Sequence, residues 1–215
     1  MHIPDGFIST GTAAATWLAS AGSVGYAVRR VNHELNERQV PLMGVTAAFI
    51  FAAQMMNFTV AGGTSGHLLG GALAAILLGP WAGMLVLTSV LAVQALLFQD
   101  GGLLALGANV LNMAVVGVLV GWLVYTTLRR LLGDRTWAMM ASGFAAAWLS
   151  VFVASLVAAA ELAISGTSPW VVALPAMGLV HMLIGIGEGL ITVGVLAFLQ
   201  VTRPDLLALR QPSEA

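Results

Sequence analysis

Six stretches of this chain run for about 20 residues or more with almost no charge, which is the length an α-helix needs to cross a bilayer. They cover residues 7–28, 41–60, 80–98, 103–128, 136–164 and 171–201. Only 8% of the 215 residues are charged and 59% are hydrophobic, whereas a soluble domain carries roughly 25% charged residues. A soluble fold of this size lacks the polar residues to cover so much apolar surface. Lipid is therefore the solvent for much of the chain, and the expected class is an all-α, polytopic membrane protein. The net charge of −1 is uninformative, and no basic patch suggests a nucleic-acid partner. Cysteine is absent, so thiolate metal sites and disulfides are excluded.

A seventh apolar piece, 67–78, has only 12 residues and lies between Gly62-Gly63 and Gly79-Pro80. Arginine placement decides whether it crosses separately. All cations are arginines, in three clusters: Arg29, Arg30 and Arg38; Arg129, Arg130 and Arg135; Arg203 and Arg210. Cytoplasmic loops collect positive charge. If 67–78 crosses by itself, seven helices put all three clusters on one face. If it merges with 80–98, the middle cluster falls on the opposite face. Seven helices is the preferred reading, with Pro80 permitting the break because it removes a helix hydrogen bond. The amino terminus is then outside and the carboxyl terminus inside, in one domain spanning 1–215 with a short polar tail. Segments 1–6, 61–66, 99–102 and 165–169 share the outer face. Segment 61–66 is expected to dip into the bundle, since a short helix must have its ends covered by protein. No Lys or Arg precedes the apolar stretch 7–21, so the start does not read as a cleavable signal.

Four histidines can carry chemistry. His33 reads as a solvated loop residue beside Glu34, Glu37 and Arg38, whereas His2 and His67 fall on the outer face. A histidine at position two makes a compact chelator. The terminal amine and the His2 backbone nitrogen close a five-membered ring on a metal, and that nitrogen with the imidazole closes a six-membered one. The amide must yield its proton for this. Nickel(II) and copper(II) suit such planar nitrogen sets, and His67 is the other histidine available for a fourth place. Pro4-Asp5-Gly6 favours a tight turn that can fold Met1-His2 into the bundle. Asp5, Thr64, Ser65 and Asn109 are candidates to back the ligands or line an access path. Thr64 and Ser65 can instead cap the short helix.

Inside the spans, Asn109 with Asn112, and Gln54 with Asn57, read first as polar glue between helices. His181 and Glu188 share a helix face, seven residues apart. Glu188 lies about 25 Å along its helix from residue 171, so a structural or coupling role fits both better than metal ligation. Gly63-Thr64-Ser65-Gly66 also matches the G-x-S-G of intramembrane serine proteases, with His181 as a conceivable base. The sequence holds no phosphate-binding loop and no row of membrane carboxylates for a proton- or sodium-driven carrier. The subunit binds no ATP and draws its energy from elsewhere.

With these residues in view, the chain resembles the CbiM/NikM family, the substrate-binding membrane components of energy-coupling-factor transporters for cobalt and nickel. Met1-His2-Ile3-Pro4-Asp5-Gly6-Phe7 is the most specific mark. Gly62 to His67 running into Leu68-Leu69-Gly70-Gly71 is the second. Asp100-Gly101-Gly102, Leu106-Gly107-Ala108-Asn109 and Asn112-Met113 form the third, and His181 with Ile184-Gly185-Ile186-Gly187-Glu188-Gly189 the fourth. The resemblance implies seven helices with the amino terminus folded into the bundle. It implies a transported Co2+ or Ni2+ held by the Met1 amine, the His2 backbone nitrogen and imidazole, and the His67 imidazole. The implied partners are a membrane coupling subunit, two cytoplasmic ATPase subunits and a small accessory membrane subunit, in the cell inner (cytoplasmic) membrane. The opening and the compact length are closer to the cobalt members, which serve cobalamin biosynthesis. Nickel is the alternative substrate; a stand-alone carrier and a protease are more distant ones. Small residues at Ala48 and Ala52, or at Gly185 and Gly189, are expected to let the subunit slide against a partner.

Overall fold

Apolar runs in lipid satisfy their backbone internally only as helices, and helices dominate the computed structural model, which describes residues 1–34 and 39–208. In chain order they are α1 Thr10–Glu34, α2 Gln39–Gln54, α3 Gly71–Leu78, α4 Pro80–Leu97, α5 Leu106–Leu132, α6 Thr136–Ile164, α7 Trp170–Thr202 and the short α8 Pro204–Ala208. Four of them, α4 to α7, are long and apolar enough to cross a membrane. Large exposed side chains such as Leu18, Val45, Leu123, Leu183 and Val201 face outward. These features mark an integral membrane protein.

Several boundaries differ from the sequence reading. α1 starts only at Thr10, after the Pro4-Asp5-Gly6 turn, and runs on so that His33 is exposed in its last turn. Glu37, Arg38 and Arg210 lie outside the described residues. α2 ends at Gln54 rather than at 60. The following chain forms a small antiparallel hairpin, β1 Phe58–Thr59 against β2 Ser65–Gly66, with Phe58 opposite Gly66. Segment 67–70 has no regular secondary structure, and the short helix begins only at Gly71. Its cap position is Gly70, at φ 78°, so Thr64 and Ser65 are not its caps.

All eight residues of α3 are buried. Glycine makes this possible by letting backbones meet. A Cβ on Gly121 would stand 2.7 Å from the Ala72 Cα, and one on Gly71 3.1 Å from the Gly117 carbonyl carbon. The α3–α4 break falls at Gly79, with φ 83°, and Pro80 occupies the first turn of α4, where its missing N–H costs nothing. Within α5, Val110–Gly117 is wound as a π-helix, and Ser150 of α6 donates to the Gly117 carbonyl at 2.7 Å. Helices α6 and α7 pack along their lengths. Gly185 accommodates Trp148 and Gly189 accommodates Phe144. These two glycines therefore serve packing inside the chain, and the expectation that they slide against a partner is withdrawn. Ala48 and Ala52 remain exposed on α2.

Candidate metal-binding site

Among the described residues no three side chains of His, Cys, Asp or Glu cluster as a metal site. Any ion bound here must draw on other donors, and the amino terminus supplies them. Residues Met1, His2 and Ile3 are 0%, 4% and 0% exposed. A free terminus normally frays, but this one is tied down at every step. The Met1 amine donates to the Ser65 carbonyl, and to the Ser65 Oγ at 2.8 Å. The His2 N–H donates to the same Oγ at 3.0 Å. The Ile3 N–H donates to Asn109 Oδ1 at 2.8 Å, and Asn109 Nδ2 returns a bond to the Ile3 carbonyl at 3.1 Å. That carbonyl also accepts from the Gly102 N–H at 2.9 Å. Asp5 then accepts from the backbone N–H groups of Leu103, Leu104 and Ala105 at 3.1, 2.8 and 3.0 Å. Those are unpaired donors just ahead of α5, where a carboxylate is favoured.

This arm brings His2 against His67. The two rings are stacked, with centroids 4.5 Å apart and planes 21° apart. Their hydrogen bonds select which nitrogens are free. Gln94 Oε1, 3.1 Å from His2 Nε2, can accept the ring proton there and leave Nδ1 as the lone pair. Likewise the Leu68 carbonyl, 2.8 Å from His67 Nδ1, places the proton there. The lone pairs left are His2 Nδ1 and His67 Nε2, and both atoms are buried without a hydrogen-bond partner. His2 Nδ1 is also the nitrogen needed for the six-membered chelate ring. Burial, reinforced by the nearby amine, pushes the His2 imidazole down to about 3. Burial lowers the Met1 amine well below its ordinary value, while Asp100 opposes that shift. Both shifts favour the neutral, electron-donating forms.

Segment 67–70 is held from behind. Glu188 accepts from the Leu69 N–H and, at 2.7 Å, from the Gly70 N–H, and Gln54 donates to the Leu69 carbonyl at 2.7 Å. Glu188 therefore fixes the chain immediately after His67. The sequence reading favours a structural hydrogen bond or a coupling role for Glu188 over metal ligation, and these contacts are structural hydrogen bonds. His181 donates from Nδ1 to the Met177 carbonyl at 2.7 Å, and its ring approaches the Ser65 carbonyl rather than the hydroxyl. Ser65 Oγ is occupied by Met1 and His2, so there is no Ser–His pair and no protease centre. Thr64 lies against the Met177 sulfur, at 4.0 Å. Asn112 donates to Glu161 at 2.6 Å, which makes it helix glue.

Three contributors escape the sequence reading. Gln94, in α4, and Asp100, in the loop after it, both address His2; Asp100 Oδ1 is 3.3 Å from Nδ1. Asp100 stands in a quoted motif, which could have singled it out. Nothing in the sequence distinguishes Gln94 or Glu161 from other polar residues in apolar runs.

Comparison with known proteins gives a consistent picture. Residues 2–206 match the family described as CbiM, the cobalt uptake substrate-specific transmembrane region. The chain is 38% identical over 231 residues to the fused nickel transport protein NikMN of Rhodobacter capsulatus, covering 100% of this chain and 66% of that one. It is 34% identical over 219 residues to the cobalt transport protein CbiM of Geobacter sulfurreducens, covering 97% and 62%. The crystal structure of a truncated transition metal transporter superposes with a TM-score of 0.86 at 36% identity, covering 93% of this chain and 98% of that one.

Proposed function

Because this chain belongs to the CbiM family of cobalt/nickel transport components, we propose that it is the metal-capturing subunit of an ATP-driven energy-coupling-factor importer. Cobalt is the preferred substrate and nickel the alternative, in the cell inner membrane, with cobalamin biosynthesis as the destination. Family members work with other subunits. Here those are a membrane coupling subunit, two cytoplasmic ATPases and a small accessory membrane subunit. The long helices α4 to α7, with α1, α2 and the short buried α3, make up seven crossings. The amino terminus is outside, so the arm meets the ion before it enters.

The ion is held by the Met1 amine, the His2 backbone nitrogen, His2 Nδ1 and His67 Nε2. The observation that carries this reading is the hydrogen-bonding pattern of the two rings. On each ring the nitrogen not needed for the ion is hydrogen-bonded, and the one that is needed is buried and unpartnered. Ser65 Oγ gathers the other two nitrogens into one place. Closing a planar set requires the His67 ring to tilt out of its stack on His2. Asp5 and Asn109 hold the arm, Thr64 and Ser65 shape the pocket wall, and Glu188 and His181 brace the segment bearing His67.

One added alanine between Met1 and His2 separates the amine from the amide and breaks the fused rings. Titration of the purified variant with Co2+ and Ni2+ should show tight binding abolished, and acetylation of the amine should do the same. Tight binding that survives both changes would overturn the assignment. Competition between the two ions on the unaltered protein decides the substrate.

A further inference from the structure

Resting on the reading that Met1-His2 holds the ion, we propose that Glu161 is a positioning residue for the site. Through Asn112 it holds α5 in its π winding, and that winding brings the amino-terminal arm and the His67 segment together. The π-wound stretch Val110–Gly117 lies between contacts to both halves of the site. Asn109, immediately before it, clamps Ile3 through both of that residue's backbone groups. Gly117, its last residue, packs against Leu69, two positions after His67; a Cβ on Gly117 would stand 2.7 Å from Leu69 Cδ2.

The angle between these two contacts is set by how the eight residues are wound. An α turn closes bonds to the fourth residue and a π turn to the fifth. Eight residues make about 2.2 turns as an α-helix but only about 1.8 as a π-helix, so the windings differ by nearly half a turn. Rewound as an α-helix with Gly117 in place, the segment would carry Asn109 away from Ile3. The arm and the His67 segment would then no longer face each other.

A π winding is rare beyond a single turn and is frequent at functional sites, so something must hold it here. Two bonds from α6 do. Ser150 Oγ donates to the Gly117 carbonyl at one end, at 2.7 Å. Asn112 Nδ2, on the third residue of the stretch, donates to Glu161 Oε2 at the other, at 2.6 Å. Glu161 is a costly residue for joining two helices. It is buried inside an apolar run, where ionisable side chains mark function. Its Oε1 and the Asn112 Oδ1 are both buried without a hydrogen-bond partner. Van der Waals packing of small residues suffices to join membrane helices. What the carboxyl group adds is direction: a short bond that fixes one amide at one angle on the π stretch.

Full-length protein carrying Glu161→Gln, Glu161→Leu, or Glu161→Leu with Asn112→Leu is titrated with CoCl2. Hydrogen exchange of the Ile3 amide is measured without metal and compared with that of amides in α4. Glu161→Gln keeps an oxygen acceptor for Asn112, so Co2+ affinity should stay within about threefold of the parent. Glu161→Leu should weaken binding by about tenfold or more, the range seen for residues that support metal sites. The Ile3 protection factor should fall with it, and more than those of α4. The paired leucines separate positioning from simple helix glue. Replacing both partners by apolar groups is nearly neutral for stability, so glue alone would let affinity return to the parent value. Loss of positioning instead leaves affinity and Ile3 protection low in a protein whose stability to chemical denaturation has recovered. Co2+ binding within about threefold of the parent, with unchanged Ile3 protection, in either folded leucine variant overturns the proposal. If the alanine insertion at Met1-His2 leaves tight binding intact, the ion reading fails, and Ile3 protection, read without metal, still decides the role of Glu161.

Discussion

Gly102→Ala adds one methyl group to a residue that is neither a ligand nor in a left-handed conformation, and it should nearly abolish tight metal binding. A Cβ there would lie 2.0 Å from Asp5 Oδ1 and 2.3 Å from the Asp5 backbone nitrogen. Carbon contacts are favourable only near about 3.5 Å, so the arm must move by about 1 Å. Rotating one side chain does not relieve this, because part of the overlap is with backbone. The displacement breaks the Gly102 N–H bond to Ile3 and the three Asp5 bonds to 103–105. At about 1 kcal/mol net for each bond, docking loses about 4 kcal/mol. Alanine returns about 0.5–1 kcal/mol by restricting the unfolded chain. The remaining ~3 kcal/mol corresponds to roughly a hundredfold weaker binding. Calorimetric titration of the purified variant with Co2+ reads this directly. The metal-free variant should still fold, since the core among α3 to α7 is untouched, with its stability lowered by no more than the lost docking energy. Gly22→Ala, where the added carbon meets nothing within 4 Å, is the control. Binding within about threefold of the parent, in a folded Gly102→Ala protein, would refute the idea that a docked arm presents the chelate.

Other perturbations probe separate parts of the site. Ser65→Ala removes the hydroxyl that gathers the Met1 amine and the His2 amide; metal affinity should fall by up to about tenfold while uptake persists, measured by radiotracer import. Glu188→Gln leaves one of two backbone N–H groups facing an amide donor, so stability should drop by about 2 kcal/mol in chemical denaturation, with weaker metal binding although no ligand is touched. The folded His2 imidazole titrates at about 3 against an ordinary 6.5, and the Met1 amine lies well below 8.0. Both groups therefore take up protons more readily when the arm is undocked, and docking weakens as pH falls, from about 8 for the amine and from 6.5 toward 3 for His2. The protection factor of the Ile3 amide, its exchange corrected for the intrinsic pH dependence, should fall in that direction, and a pH-independent protection factor would contradict it. Ala48→Leu with Ala52→Leu should impair uptake but not metal binding; unchanged uptake would remove α2 as a partner face.

Much of the architecture was legible because lipid imposes a strong length rule. The runs at 80–98, 136–164 and 171–201 became α4, α6 and α7 within one or two residues, and the break at Pro80 came out as expected. The stretch 55–70 was not legible. Met55 to Val60 is as apolar as a helix, yet it leads into a hairpin whose register depends on what it packs against. The eight buried residues of α3 resemble any other apolar octet, and the facing glycines of α5, with Gly83 of α4, make room for them.

The sequence by itself determined a membrane protein of the cobalt/nickel transport type, and it singled out Met1-His2 as the proposed chelating segment. It could do so because a position-two histidine is a local chelator and apolar length is a local property. Tertiary structure decided what surrounds that segment. It put Ser65 under the two terminal nitrogens, Gln94 and Leu68 on the ring nitrogens not needed for the ion, Glu188 behind His67, and Asp100 beside His2. Each of these contacts joins residues 60 or more positions apart, except Leu68, which is next to His67. Their meeting depends on how helices and loops pack, and periodicity along one chain carries no trace of it.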